Sequence, residues 1–432
     1  MKILDFLNVS NMSNLEADSG YVFQKELMKE ILSQRPNWEF YFISPKQTPS
    51  LDKRIKNLKL DFGHNKFEVR FSFPWNDIKK LIKDILPSID LIYVNQSEQA
   101  SNFRALATTL SPNRKIPLIS YFHYLPIEPS HYHFSAEEGI LDYDNMVNLK
   151  ERRFPCSLRF DQTLNNQDLA LPIFLKQIEA IYVSDYNIIC SNFGLDLLLG
   201  NAQKLVPSIS GNFAVISPPV SFSEILTSKT KKYSNNISNQ KKRILFNHRL
   251  YNHYGPKEFF DFIQYFYNNK RQDFEVIVTN PTDGRSKERN KLNPNVSRLE
   301  EEVLRLPYVK LEHSKTREEY YKTVLSSYIS IGPMKPSALW SMSVVDSMAC
   351  GVPVLCPNYA CFPEILGADS KLLFSSSEEL QNKIKKLFDN PTFYNEMSAY
   401  CKKRSEEFEV KNISKKFIEV FEKLDNKTQH DS

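Results

Sequence analysis

Short apolar runs recur along the first half of the chain, separated by stretches whose apolar positions repeat at helical spacing. Residues 3–9, 40–44, 91–95 (LIYVN), 117–122 (PLISYF), 186–191 (YNIICS) and 214–217 read as strands, and residues 21–33 as a helix. Near-continuous apolar strands interleaved with helices predict a parallel sheet covered on both faces. Residues 227–243 interrupt the rhythm with Ser, Asn and Lys, including six basic and no acidic residues, and predict a linker. The alternation then restarts. Strands are expected at 243–247 (RILFN), 274–279 (FEVIVT), 309–311, 328–331 and 353–356, and helices at 256–268, 317–325 and 343–349. Residues 391–424 read as helical and charged.

Two βα arrays joined by one linker predict an α/β chain of two doubly wound, Rossmann-like domains facing each other across a cleft. Ligands of such sheets bind at the carboxyl ends of the strands. The expected boundaries are 1–220 for the first domain, 221–242 for the linker, 243–395 for the second domain, and 396–432 for a last helix packing back toward the first. Residues 127–174 do not fit the array. They form a long insertion rich in aromatic and charged residues, among them His131, His133, Glu137, Glu138, Arg152, Arg153 and Arg159, and insertions of that length are usually functional or disordered.

Composition narrows the class. With 432 residues, 41% hydrophobic and 25% charged, the chain is long enough for two domains with cores of their own. A net charge of +5 permits an anionic partner without demanding one. Cys156, Cys190, Cys350, Cys356, Cys361 and Cys401 show no zinc spacing and read as free thiols of a reducing compartment. The start, Met1-Lys2-Ile3-Leu4-Asp5, meets an acid at once and does not read as a signal peptide. No run approaches the roughly 18 apolar residues of a membrane span. The expectation is a cytoplasmic protein, with a peripheral membrane location left open.

The densest chemistry lies in residues 326–366, SSYISIGPMKPSALWSMSVVDSMACGVPVLCPNYACFPEIL. A strand ends near Gly332, and a helix begins near Ser343. Its unpaired N–H groups and positive dipole end make a seat for phosphate, with Ser341, Met342 and Ser343 at the opening. Asp346 follows one turn inside, where a carboxylate can accept from ribose hydroxyls. Gly351 suits a left-handed helix cap, with Pro353 just beyond it.

This segment resembles the nucleotide-sugar segment of GT-B glycosyltransferases, specifically the retaining family 4, or group 1, type. That pattern has a Glu, seven residues, a second Glu, then an Ala-Met-Ala-x-Gly-x-Pro-Val run and a Pro-Glu-Ile element. Asp346 takes the second acidic position, Ser347-Met348-Ala349-Cys350-Gly351-Val352-Pro353-Val354 matches the run, and Pro363-Glu364-Ile365 completes it. Ala338 stands where the family has its first Glu, which contacts the donor sugar; the departure implies that a neighbour replaces it, that the sugar is unusual, or that the enzyme is weak. Residues 243–260, RILFNHRLYNHYGPKEFF, are similar to the opening of the family's donor domain, where an Arg and a Lys bind diphosphate. Arg249 falls on the Arg. Tyr254 falls on the Lys, with Lys257 as a substitute three residues later. Ser120-Tyr121-Phe122-His123 ends a strand where the family often has a His near the donor sugar, and the loop 11–20 replaces a glycine-rich turn, keeping Ser19 and Gly20.

The resemblance implies a retaining glycosyltransferase that moves a hexose or pentose from a nucleoside-diphosphate sugar to an acceptor hydroxyl. The second domain would bind the donor through Arg249, Lys257, Ser341, Met342, Ser343, Asp346 and Glu364. Arg249 would offset charge on the departing diphosphate, and His123 would orient a sugar hydroxyl or shape the acceptor site. The first domain would bind the acceptor, with Ser19, Gly20, Arg152 and Arg153 on that side. No metal and no cofactor is expected, since helix dipole and basic side chains handle the diphosphate charge. Glu364 reads equally as a helix-start acid. The acceptor stays open among a glycan, a lipid-linked saccharide and a nucleobase, the last because Arg152, Arg153, Phe154, Arg159 and Phe160 interleave cations and rings. Two other readings stand beside this one: a catalytically silent nucleotide-sugar-binding partner subunit, and a glycosyltransferase acting on DNA or RNA bases.

Overall fold

The computed structural model describes residues 1–7, 15–46, 48–60, 73–127, 134–135, 140–141, 170–229, 241–248, 250–251, 254–279, 294–312, 314, 316–335 and 339–430. The chain divides into two units. One comprises Met1–Ile127, Phe160–Pro219 and Val410–Ser432, the other Glu128–Arg159 and Val220–Glu409.

The first unit is built on a parallel sheet. Its strands are β1 (Lys2–Phe6), β2 (Glu39–Pro45), β3 (Ile55–Leu60), β4 (Leu91–Val94), β5 (Leu118–Phe122), β8 (Tyr186–Ile189) and β9 (Phe213–Val215), in the order β3-β2-β1-β4-β5-β8-β9. A short antiparallel pair, β6 (Phe134–Ser135) and β7 (Ile140–Leu141), lies within the residues grouped with the second unit. The central strands β4 and β5 are buried along their whole length and β1 from Ile3 onward, as the unbroken apolar runs require. β3 reads IKNLKL and is partly exposed at the sheet edge; its mixed polarity is why the apolar pattern does not announce it.

Helix α1 (Ser19–Gln34) starts two residues earlier than the apolar pattern indicates. Asp18 caps it, accepting from the N–H groups of Gly20 at 2.9 Å and Tyr21 at 3.2 Å. The Val410–His430 helix packs on α1. It buries Ile413, Phe417, Phe421 and Leu424, a helical stripe. Phe417 meets the rings of Phe23, Tyr93 and Tyr121, and Phe421 stacks on Trp38 at 6.3 Å. One polar cluster sits in this core. Gln24 donates its amide to the carboxylate of buried Asp5 and accepts from the amide of Asn95. Burial pushes the Asp5 carboxyl well above its usual range, against the pull of hydrogen bonds from Gln24 and the Phe6 backbone.

The second unit repeats the plan. Its strands are β10 (Lys242–Phe246), β11 (Phe274–Thr279), β12 (Val309–Glu312), β13 (Ile329–Ile331), β14 (Val354–Pro357) and β15 (Leu373–Phe374), all parallel, in the order β12-β11-β10-β13-β14-β15. The helices that matter for the site are α2 (Phe222–Lys229), α3 (Pro256–Asn269), α4 (Arg317–Leu325), α5 (Met342–Ala349) and α6 (Phe362–Leu366). Gly351 is left-handed at φ 76°, as its place before Pro353 predicts, and its N–H closes on the Met348 carbonyl at 2.8 Å. The helical stretch expected over 391–424 is two helices, Pro391–Ser405 and Val410–His430, separated by a 3-10 turn at Glu406–Phe408. The first packs on α5, the second on α1. Most of the 127–174 segment lies outside the described residues, but its end is regular: the Ala170–Val183 helix begins inside it. Among the described residues, no helix is long and apolar enough to cross a membrane.

Candidate functional site

β10 and β13 lie side by side in the second sheet, so the segments leaving their carboxyl ends are neighbours. The two segments are tied by the Met334 N–H, which donates to the Tyr254 carbonyl at 3.0 Å. Gly255 permits this approach. It is left-handed at φ 66°, and a Cβ there would stand 2.9 Å from the Met334 Cβ.

The chain beyond β13 reaches the start of α5. Ser341 is its N-cap residue, with extended backbone, yet its own side chain makes no capping bond and the first turn holds no acid. The hydroxyls present are turned to one another and to β10. Ser341 Oγ is 3.3 Å from Ser343 Oγ, and Ser343 Oγ is 2.9 Å from Nδ1 of His248. His248 is 6% exposed, its ring stacked on Tyr254 at 5.3 Å and edge-on to Phe246. The first turn of α5 therefore holds no acid to offset its dipole, which is the electrostatic condition for holding an anion.

Behind this opening lies a buried polar network. The Asn247 amide donates to the Tyr320 hydroxyl at 2.7 Å and to the Ser343 carbonyl at 3.1 Å, while Thr279 Oγ1 donates to Asn247 Oδ1 at 3.1 Å. The Tyr320 hydroxyl donates to Asp346 Oδ2 at 2.9 Å, and the Tyr321 hydroxyl to Asp346 Oδ1 at 3.1 Å. Arg317 lies 3.7 Å from Asp346 Oδ2 and 3.4 Å from Glu224 Oε2 of α2. Burial raises the Asp346 carboxyl above its usual range, and Arg317 and the two tyrosine hydroxyls oppose that shift.

The structure brings Ser341, Met342, Ser343 and Asp346 together on α5, as the sequence indicates. It gives Asp346 different company from that expected. Asp346 is 3% exposed and both its oxygens accept from tyrosines of α4, because the Arg317–Leu325 helix packs directly on α5. Lys257, expected to stand in at the family's Lys position, is exposed on α3 and paired with Asp261 one turn on, at 2.5 Å. Tyr254, at the Lys position itself, holds the His248 ring. Glu364 lies half-buried in the first turn of α6, and its backbone carbonyl accepts from Arg404 at 2.7 Å.

In the first unit, His123 follows β5, its ring edge-on to Phe23 at 5.4 Å and to Tyr121 at 4.6 Å. Ser19 and Gly20, expected in a loop, are the first two residues of α1, where Asp18 takes the amides of Gly20 and Tyr21. Arg249, Arg152, Arg153 and Ala338 lie outside the described residues, as do His131, His133, Glu137, Glu138, Phe154 and Arg159.

The sequence reading did not single out Asn247, His248, Arg317, Tyr320 or Tyr321. A signal existed for the first two, which leave a buried strand at its carboxyl end. None existed for the tyrosines, whose partner Asp346 lies 25 and 26 residues away.

Residues 227–406 match the family model described as glycosyl transferases group 1. No curated protein matches the chain. Among solved structures, the chain resembles sucrose-phosphate synthase from Thermosynechococcus elongatus, with a TM-score of 0.67 at 12% identity over 98% of each chain. It also resembles Anabaena HepE in complex with UDP and glucose, with a TM-score of 0.61 at 12% identity over 98% of this chain and 100% of that one. A third is an α,α-trehalose 6-phosphate synthase from Burkholderia multivorans, with a TM-score of 0.60 at 10% identity over 98% of each. By that match residues 227–406 resemble the glycosyl transferases group 1 family, and the chain has the GT-B fold seen in these structures, built from two Rossmann-like domains.

Proposed function

We propose that this protein is a retaining glycosyltransferase that takes a sugar from a nucleoside-diphosphate sugar, the diphosphate seated at the start of α5. The observation that carries the reading is the α5 opening itself. Ser341 and Ser343 stand at an uncapped, acid-free helix N-terminus beside His248, at the carboxyl ends of β10 and β13, inside the segment that matches the family. Backbone N–H groups and the helix dipole can hold phosphate oxygens there without a metal ion. Arg249, next in sequence to His248, supplies a guanidinium to the leaving diphosphate. The UDP and glucose bound to Anabaena HepE support a nucleotide sugar as the class of donor. The first unit, with His123 after β5, takes an acceptor hydroxyl. Transfer proceeds by attack on the face from which the diphosphate departs, its oxygen helping to take the acceptor proton. The setting is the cytoplasm.

A thermal-shift series against nucleoside diphosphates and their sugars tests this. A ligand at 100 times its dissociation constant adds about 2.7 kcal/mol of stability. The expected result is stabilisation by one nucleoside diphosphate, lost in Arg249→Ala and reduced in Ser343→Ala. No shift with any of them would remove the donor site and the activity with it. The alternative of a donor-binding but silent subunit is favoured by two residues, Ala338 where the family carries a Glu and Tyr254 where it carries a Lys. Binding of a nucleotide sugar with neither transfer nor slow hydrolysis over hours would select it.

A further inference from the structure

Both oxygens of the acid at position 346 already accept a hydrogen bond from the protein. A carboxylate that binds ribose offers its two oxygens to two vicinal hydroxyls. Here the two oxygens accept from two hydroxyls of α4, those of Tyr320 and Tyr321, at 2.9 and 3.1 Å. The carboxylate is 3% exposed, and the Arg317 guanidinium lies behind it at 3.7 Å. Arg317 in turn donates to the Tyr321 hydroxyl and lies over both tyrosine rings, at 5.0 and 4.7 Å, which holds the pair of hydroxyls in place. From Tyr320 the chain of hydrogen bonds continues through Asn247 to the carbonyl of Ser343. It joins the buried acid to the residue preceding His248 and to the first turn of α5.

We infer that Asp346 is a positioning residue rather than a ribose ligand: through Tyr320 and Asn247 it sets the end of β10 and the first turn of α5 as one rigid seat. The two tyrosines do for the carboxylate what a ribose would do. A nucleotide reaching those buried oxygens would have to compete with two buried hydroxyls, each of which would lose its acceptor if displaced. The acid matters for the donor through the placement of Ser343 and His248, and its loss is felt equally by any ligand of the α5 opening. This rests on the donor site proposed above, and it makes a different claim about which atoms touch the nucleotide.

The test compares UDP with 2′,3′-dideoxyuridine diphosphate, which keeps the base and diphosphate and lacks both ribose hydroxyls. Dissociation constants are measured by calorimetry for the wild type, Asp346→Asn and Tyr320→Phe. A positioning residue weakens both ligands by a common factor of about fivefold, the worth of one hydrogen bond, in both variants. The ratio of the two constants then stays at its wild-type value. A ratio that collapses toward one in Asp346→Asn, with UDP binding kept or tightened in Tyr320→Phe, would establish a ribose contact and overturn the inference. Unchanged affinities alongside a lowered unfolding temperature would also overturn it, since the acid would then be structural only. If the wild type binds neither ligand, the proposed donor site fails, and the clamp is judged separately by the unfolding of Asp346→Asn, Tyr321→Phe and the double variant. Non-additive losses support the clamp, and additive losses refute it.

Discussion

Two glycines of the second unit, Gly255 and Gly351, are left-handed, at φ 66° and 76°, and alanine at either takes on the same backbone strain. That strain is worth about 1–2 kcal/mol. Their surroundings differ. At Gly351 the nearest atom to a new Cβ is Ser398 Oγ at 3.4 Å, an ordinary van der Waals contact that leaves its hydrogen bond to the Gly351 carbonyl in place. At Gly255 the new Cβ meets Met334 Cβ at 2.9 Å and the backbone of Met334 and Lys335 at 3.1 Å. None of those atoms can swing aside, so the segment beyond β13 must move. Forced overpacking of this kind costs a further ~1–3 kcal/mol. Gly255→Ala should therefore exceed Gly351→Ala by about 2 kcal/mol, or roughly 4–8 °C in the unfolding temperature for a unit of this size. Differential scanning calorimetry, reading the transition that includes the second unit, measures the difference. Because Met334→Ala keeps its Cβ, adding it to Gly255→Ala should not rescue the loss. Equal losses at the two glycines, or a rescue by Met334→Ala, would refute the close approach that ties the segments leaving β10 and β13.

Other outcomes follow from the same geometry. Burial raises the folded pKa of Asp5, and the hydrogen bonds from Gln24 and the Phe6 backbone only partly oppose it. The folded state then holds a proton that the unfolded state has lost above the ordinary 3.8, and stability falls as pH rises through that window. Asp5→Asn should fold at neutral pH and flatten this slope in urea midpoints taken from pH 5 to 8; a steeper slope would refute it. Asp52 is the opposite case. Hydrogen bonds from Arg54 lower it from 3.8 to about 2, so its stabilising contribution is complete above its unfolded value and fades as pH drops toward 2. The urea midpoints of wild type and Arg54→Ala should differ more at pH 6 than at pH 3. Phe417 is 0% exposed among four aromatic rings, and Phe417→Ala should cost the first unit about 3–5 kcal/mol, read as a lowered transition in calorimetry. In binding assays, Lys257→Ala should leave nucleoside-diphosphate affinity within about twofold, because an exposed pair such as Lys257 and Asp261 is worth little.

Local pattern carried most of the fold. The strand FEVIVT and the helix REEYYKTVL occupy the residues their periodicity assigns, Phe274–Thr279 and Arg317–Leu325. The Gly351 cap and the opening of α5 were legible because each depends on a few consecutive residues: a missing Cβ, a following Pro, a run of small side chains before an apolar stripe. Where a cap or an edge decided the outcome, the pattern was less informative. Asp18 moved the start of α1 ahead of its apolar residues, and β3 escaped notice because only part of it is buried.

The sequence by itself determined that the chain alternates strands with helices in two arrays, and that the stretch from Asp346 to Glu364 in the second array resembles the nucleotide-sugar segment of the group 1 type. Only the tertiary structure decided what each functional side chain touches. His248 and Ser343, 95 residues apart, meet because β10 and β13 pair in the sheet. Asp346 faces Tyr320 and Tyr321 because α4 packs on α5, and the last helix joins the first unit because its apolar stripe fits α1. Periodicity specifies which face of an element is buried. It does not specify which distant element will cover that face, and a buried acid takes its chemistry from that neighbour.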